Sequence, residues 1–224
     1  MKKFFISPSI LSADFSRLGQ DVQNVLDAGS DMIHFDVMDN HYVPNLTFGP
    51  MILKSLRSYP IRAPIDVHLM TSSVDALIPI FAKSGADYIT FHPDSTRDIH
   101  HTIRIIKQNN CKSGIAINPD VSIKILDPFL EKLDLILLMS VYPGFSGQKF
   151  ILSVLKKIRS LRKYLNFNFP NILLQVDGGI NINNIFDVAE AGADIFVMGS
   201  AIFCSNNYYE TIQNLKKKII LVSS

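Results

Sequence analysis

Ala28-Gly29-Ser30-Asp31-Met32-Ile33-His34-Phe35 decides the fold of this 224-residue chain, because the pattern recurs. Ser84-Gly85-Ala86-Asp87 leads into Tyr88-Ile89-Thr90-Phe91, and Ala191-Gly192-Ala193-Asp194 leads into Ile195-Phe196-Val197-Met198. Each stretch reads as a helix end, a glycine suited to the left-handed C′ position, and then a buried strand. The three glycines stand 56 and 107 residues apart. Eight strand–helix units in 224 residues average 28 residues each, so the gaps span about two and about four units. A parallel-strand repeat of this size predicts the α/β class and a single (β/α)8 TIM barrel over residues 1–224.

The intervening units fill in around these anchors. Strands are expected near 4–10, 32–38, 64–70, 88–92, 113–118, 133–139, 172–177 and 195–199. Helices are expected near 15–28, 50–58, 74–83, 98–109, 122–130, 150–165, 182–190 and 207–220. Leu135-Ile136-Leu137-Leu138-Met139 is apolar without interruption, as a strand covered on both faces should be. No linker or shift in composition divides the chain. A doubly wound sheet has the same strand–helix alternation and stays open as the other architecture.

Bulk properties exclude several functions. With 47% hydrophobic and 19% charged residues the chain is not of the disordered class. The net charge of +2 is spread out, and the one basic run, Lys216-Lys217-Lys218, reads as a solvated helix face. Nucleic-acid binding is therefore not expected. No apolar run approaches the roughly 18 residues of a membrane span, so no membrane association is expected. Met1-Lys2-Lys3-Phe4-Phe5-Ile6 starts like a signal peptide, but Ser7-Pro8 and Asp14 cut its apolar region short. Cys111 and Cys204 form no CxxC pattern, which points to a reducing, cytoplasmic setting. Asn45-Leu46-Thr47 fits a glycosylation sequon, a match without meaning there.

In a barrel, chemistry gathers at the C-terminal ends of the strands. Strand 2 carries His34 and Asp36, two residues apart and so on one side. Strand 3 ends in Asp66-Val67-His68-Leu69-Met70, and strand 7 in Gln175-Val176-Asp177-Gly178-Gly179. If His34, Asp36, His68 and Asp177 all point inward, two imidazoles and two carboxylates converge. That donor set suits one divalent ion, Zn²⁺ first, with Fe²⁺, Mn²⁺ and Co²⁺ also accommodated. Taken singly, a strand histidine is more often a satisfied core residue and a strand-end aspartate more often a turn former.

Two further features accompany this set. Gly178-Gly179 and Gly199-Ser200 close adjacent strands ahead of helices, where backbone N–H groups can hold a phosphate. Val141-Tyr142-Pro143-Gly144-Phe145-Ser146-Gly147-Gln148 is long for a βα loop and suits a lid. Met38, Met70 and Met139 read as filling for the barrel mouth.

These stretches resemble one family. Ile33-His34-Phe35-Asp36-Val37-Met38-Asp39 running on through Val43-Pro44-Asn45-Leu46-Thr47-Phe48-Gly49-Pro50, and Ser7-Pro8-Ser9-Ile10-Leu11-Ser12-Ala13-Asp14-Phe15 at the start, are similar to signatures of ribulose-phosphate 3-epimerases. Asp66-Val67-His68-Leu69-Met70, Pro143-Gly144-Phe145 and Val176-Asp177-Gly178-Gly179-Ile180 match further family motifs in order, so the likeness spans essentially the whole chain. The resemblance implies an isomerase of the pentose phosphate pathway that interconverts D-ribulose 5-phosphate and D-xylulose 5-phosphate. It implies His34, Asp36, His68 and Asp177 as metal ligands, with Asp36 and Asp177 doubling as the acid/base pair. Ser9 and His68 would contact the sugar. Gly144, Phe145, Ser146, Gly147, Gly178, Gly179, Gly199 and Ser200 would line the phosphate site and its lid. The partner is a small sugar phosphate, and a homo-oligomer is the expected assembly.

The chain departs from the family pattern at Tyr142, at Ser146 and at Asn40, where the family commonly has Asn or Glu, Gly and Gly respectively. A positive φ at Ser146 would cost about 1 kcal/mol, whereas Asn tolerates it at position 40. Rival readings are a 3-epimerase of another ketose phosphate such as a hexulose 6-phosphate, a metal-free barrel lyase or decarboxylase, and a non-catalytic sugar-phosphate sensor. The lyase would use a strand-end lysine, absent from the strand 2, 3 and 7 motifs. The sensor would be expected to lack one of the two aspartates.

Overall fold

A computed structural model describes residues 4–223, leaving Met1 to Lys3 of the signal-like start outside the described residues. Eight strands run parallel in one sheet: β1 (Phe5–Pro8), β2 (Ile33–Met38), β3 (Ile65–Met70), β4 (Tyr88–Phe91), β5 (Lys112–Ile117), β6 (Leu135–Met139), β7 (Leu173–Asp177) and β8 (Ile195–Met198). The order β1-β8-β7-β6-β5-β4-β3-β2 brings the first and second strands to the two ends of the list. A parallel bridge between Ser9 and His34 then joins those ends and closes the ring. The architecture is the (β/α)8 barrel, not the doubly wound sheet.

Among the described residues eight α-helices surround the ring: α1 (Leu18–Asp27), α2 (Pro50–Ser58), α3 (Ile78–Ser84), α4 (Ile99–Gln108), α5 (Val154–Asn168), α6 (Ile185–Ala191), α7 (Ser200–Phe203) and α8 (Tyr208–Ile220). They are not one per strand. The helix expected near 122–130 is replaced by two short 3₁₀ turns, Ile123–Leu126 and Leu130–Lys132. Pro128 has no N–H to return to the Lys124 carbonyl, and Asp127 N bonds that oxygen instead in the tighter pattern. The short α7, not foreseen in the sequence, opens directly after β8.

Apolar side chains divide by strand alternation. Ile33, Phe35 and Val37 of β2 pack outward with helix residues such as Val22 and Leu53 in the large outer core. Leu135, Leu137, Met139, Tyr88, Ala116 and Ile195 form a separate cluster without helix residues, inside the ring. Met38, Met70 and Val43 make a third, small cluster that helps cover the mouth.

The repeated Gly-x-Asp motif performs one job at alternate strands. Gly85 and Gly192 end α3 and α6 in left-handed backbone. The aspartate two residues later reaches to the preceding strand. Asp31, Asp87, Asp134 and Asp194 accept the backbone N–H groups of Ile6, Ile65, Ser113 and Leu174 at 2.8–2.9 Å. Each carboxylate also faces a cation from a surrounding helix: Lys216, Arg57, Lys107 and Arg162 respectively. This fourfold set binds the N-terminal face of the barrel, remote from the mouth. Asp134 belongs to it although no glycine precedes it in the sequence motif.

Candidate metal centre and active site

Strand register builds the site. Pairing of β2 with β3 sets Asp36 beside His68 and His34 beside Asp66. Asp177 ends β7, separated from β2 by β8 and β1. One ligand atom from each of His34, Asp36, His68 and Asp177 lies within 4.8 Å of the others. Four side chains from three strands therefore converge, as the inward alternation requires.

The contacts assign each ring atom. His34 Nε2 lies 3.1 Å from Asp36 Oδ1 and 3.9 Å from Asp177 Oδ2. Its Nδ1 lies 2.8 Å from Asp66 Oδ2. Asp66 is fully buried and also accepts from Gln175 Nε2 at 2.7 Å and Thr90 Oγ1 at 3.3 Å. A carboxylate so placed accepts the Nδ1–H, so that in the neutral ring a metal would require, the lone pair sits on Nε2 and faces the cluster. His68 Nδ1 lies 3.1 Å from the same Asp36 Oδ1, and its Nε2 lies 2.9 Å from His92 Nε2. Ser9 Oγ donates to the other oxygen of Asp36 at 2.6 Å.

Electrostatics pull the two site carboxyls apart. Burial would raise Asp36, but His34 and then His68 outweigh it and hold the carboxyl well below the usual range. Asp177 is pushed up to about 7, by burial first and then by the Asp36 charge. Burial disfavours charge on His34, yet Asp36 and Asp66 raise it well above its ordinary value. His92 is held well below its ordinary value by burial and by His68, so its ring is neutral. The buried Asp36 and the partly exposed Asp177 carboxylates repel each other at this distance, and two imidazole nitrogens aim at the same point. The donor set fits a divalent cation, which the four residues could hold.

One pocket opens above this cluster. Ser9, Asp36 and Asp177 line it, together with Met38, Met70 and Met139. Gly144, Phe145, Ser146 and Gly147 line it from the β6 loop, and Gly178, Gly179, Gly199 and Ser200 from the loops after β7 and β8. His34 and His68 lie beneath that lining, both fully buried. His68, expected to touch the sugar as well, lies directly beneath the pocket-lining Asp36, 3.1 Å from its Oδ1.

The glycine turns have a steric reason. A Cβ on Gly179 would sit 2.8 Å from the Gln148 carbonyl oxygen and collide with the Phe150 backbone. Asn181 and Asn184 both donate to the Gly179 carbonyl, at 3.1 and 3.0 Å, and fix the direction of that oxygen. Gly199 caps α7, so a short extra helix begins at the pocket rim. Barrels often bind phosphate with these two loops and such a helix.

The β6 loop is held rather than loose. Gln148 Nε2 donates to the carbonyls of Tyr142 and Phe145 at 2.7 and 3.0 Å. Asn45 Nδ2 donates to the Gly144 carbonyl at 2.7 Å, tying the loop to the one after β2. Positive φ falls on Gly144 and Gly147, not on Ser146, so the strain expected there does not arise. Asn40 does take positive φ, at 59°, in keeping with its tolerance for that backbone. Asp66, Gln175, His92 and Asn45 carry no role in the sequence reading. A polar residue two positions before a candidate ligand on the same strand is the available signal for Asp66 and Gln175, Asn45 lies within a family-like stretch, and nothing local marks His92.

Residues 5–203 match the model of the ribulose-phosphate 3 epimerase family. The chain is 60% identical over 219 residues to a ribulose-phosphate 3-epimerase of Buchnera aphidicola subsp. Acyrthosiphon pisum (strain APS), covering 98% of this chain and 96% of that protein. It is 53% identical over 223 residues to the ribulose-phosphate 3-epimerase of Escherichia coli (strain K12), covering 100% and 99%. A solved structure of 3-hexulose-6-phosphate synthase from Salmonella typhimurium superposes with a TM-score of 0.73 at 15% identity, covering 98% of this chain and 100% of that one, a likeness of fold alone.

Proposed function

The chain belongs to the ribulose-phosphate 3-epimerase family, and from that premise we propose how its residues divide the work of epimerisation. The reaction inverts carbon 3 of a pentulose phosphate, interconverting D-ribulose 5-phosphate and D-xylulose 5-phosphate. The observation that carries the proposal is the convergence of His34, Asp36, His68 and Asp177 within 4.8 Å beneath the pocket.

The C3 hydrogen is acidic because the neighbouring ketone delocalises the carbanion. Asp36 or Asp177 removes it from one face, and the other aspartate delivers a proton to the opposite face of the planar enediolate. The roles exchange with the direction of reaction. Standing on β2 and β7, the two carboxyls approach the pocket from different strands, as inversion demands. A divalent ion held by the four residues would supply electrophilic stabilisation of the oxygen charge that develops as the proton leaves. Ser9, bonded to Asp36, orients that carboxylate and contacts the sugar. The turns at Gly178-Gly179 and Gly199-Ser200 hold the phosphate, with the Gly144–Gly147 loop above it, and so fix the reacting carbon by a group remote from the chemistry.

Zn²⁺ is the proposed ion, since two imidazoles and two carboxylates make a four-donor set that suits it. Fe²⁺, Mn²⁺ and Co²⁺ are alternatives that the same donors accept. The fold and all the site elements fall within one barrel unit, proposed as a single domain. A cytoplasmic location is supported by two cysteines that are both unpaired. No helix among the described residues is long and apolar enough to cross a membrane. Self-association is supported by exposed Phe15, whose ring packs tilted against Phe48, and by exposed Leu46 and Met51 flanking Phe48 in the chain.

Metal analysis of the purified protein, coupled to an assay on ribulose 5-phosphate before and after chelation, tests the whole reading. Stoichiometric metal and chelator-sensitive inversion are expected. Full activity without metal would overturn it.

A further inference from the structure

His92 stands at the end of β4 and takes no part in the four-residue cluster, yet its environment is built. The residue is 1% exposed. Its carbonyl accepts from both Ser95 N, at 3.0 Å, and Ser95 Oγ, at 2.6 Å. Pro93 follows it and restricts its backbone to the extended form observed. The ring lies tilted against Tyr42, at 4.9 Å between centroids, and meets His68 edge to edge, at 5.1 Å between centroids. Tyr42 is itself anchored through its hydroxyl to Asp94.

We propose that His92 is a positioning residue that sets the tautomer of His68 and thereby aims its Nδ1 lone pair at the metal. The proposal rests on the metal reading above. A neutral imidazole carries one N–H. For His68 Nδ1 to ligate, the proton must sit on Nε2, and the 2.9 Å contact then requires a lone pair on His92 Nε2. The proposal therefore assigns the His92 proton to Nδ1. In the opposite arrangement His92 would donate to His68, the His68 proton would move to Nδ1, and that atom would point a hydrogen rather than a lone pair at the cluster.

The two histidine ligands thus have partners of different kinds. His34 leans on the carboxylate of Asp66 from the next strand, whereas His68 leans on a neutral ring from the next strand. Carboxylate partners raise ligand basicity, and a neutral acceptor does so less, while both orient the ring. His92 therefore chiefly determines which atom of His68 binds.

The test reads the ring nitrogens directly. In the zinc-loaded wild-type protein, ¹⁵N spectra of the histidine side chains should show His68 ligating through Nδ1 with its proton on Nε2. Zinc affinity, measured by competition with a chromophoric chelator, should fall about 10–100-fold in His92→Phe, which keeps an aromatic ring but no acceptor. His92→Gln, whose side-chain oxygen can accept, should restore most of it. Ligation of wild-type His68 through Nε2, or unchanged zinc affinity in His92→Phe, would overturn the proposal. Since the first measurement uses the wild-type protein, it decides even if a variant does not fold. Failure of the underlying metal reading looks different: the wild-type protein would take up no zinc, which overturns both.

Discussion

Ser9 Oγ donates to Asp36 Oδ2 at 2.6 Å across the seam where the first strand meets the second. The same seam is closed by the Ser9–His34 bridge, so one residue both completes the barrel and restrains a reacting carboxylate. Removing the hydroxyl by Ser9→Ala leaves the bridge, which is backbone, and deletes the hydrogen bond. A hydrogen bond to a charged group contributes about 1.5–3 kcal/mol, so kcat should fall roughly 10–100-fold while circular dichroism is unchanged. A variant turning over at the wild-type rate would show that Asp36 needs no such restraint.

Asp36→Asn and Asp177→Asn each remove one arm of the proton transfer. Turnover should fall by at least about 10²–10⁴-fold, the usual contribution of a positioned acid or base. In heavy water the wild-type protein should place deuterium on carbon 3 of the product, because the delivered proton is not the one removed. Product that keeps the substrate's own hydrogen would refute a two-base inversion.

Chelation should abolish inversion and also lower the unfolding midpoint. An ion present at 100 times its dissociation constant stabilises the folded chain by about 2.7 kcal/mol. Re-addition of Zn²⁺ or Fe²⁺ should recover both activity and midpoint. Recovery of the midpoint without activity would locate the ion away from the aspartate pair.

The aspartates of the opposite face predict a stability effect without a kinetic one. Asp194 and Arg162 are both largely buried, and Asp194 also accepts the Leu174 N–H. Asp194→Ala should cost about 3–5 kcal/mol in urea unfolding, as for other broken buried pairs. Asp87 is about half exposed, so Asp87→Ala should cost clearly less, although it too accepts a strand N–H. Kinetic constants of the surviving folded protein should be unchanged in both. An equal cost at the two positions would mean that burial does not set the strength of these clamps.

The two thiols should differ sharply. Burial, and then the Asp87 charge, pushes Cys111 up to about 11, because the thiolate is the disfavoured form in an apolar setting. Cys204 is exposed. At pH 8 a disulfide reagent should label one thiol per native chain, and Cys204→Ser should remove that reaction. Rapid labelling of two thiols would contradict the burial of Cys111.

Much of this molecule was legible in one dimension because the determining interactions are local. A glycine that can turn left-handed, followed by an acid and a buried strand, specifies a βα junction wherever it occurs, and Gly85 and Gly192 do so with positive φ. Strand alternation alone puts His34 and Asp36 on one side of β2. Family motifs then joined Asp36 to Asp177. Tertiary structure decided the rest, because it depends on register and closure between segments far apart in the chain. Gln175 reaches Asp66 across 109 residues, and no pattern near either predicts it. Two 3₁₀ turns at 123–132 stand where strand–helix alternation predicts a helix, since Pro128 lacks the N–H that would continue it. The two imidazoles were visible as residue types, but which nitrogen of each faces the cluster follows only from Asp66 and His92 on neighbouring strands. Composition and spacing can name a donor; only the partner on its far side fixes where its proton sits.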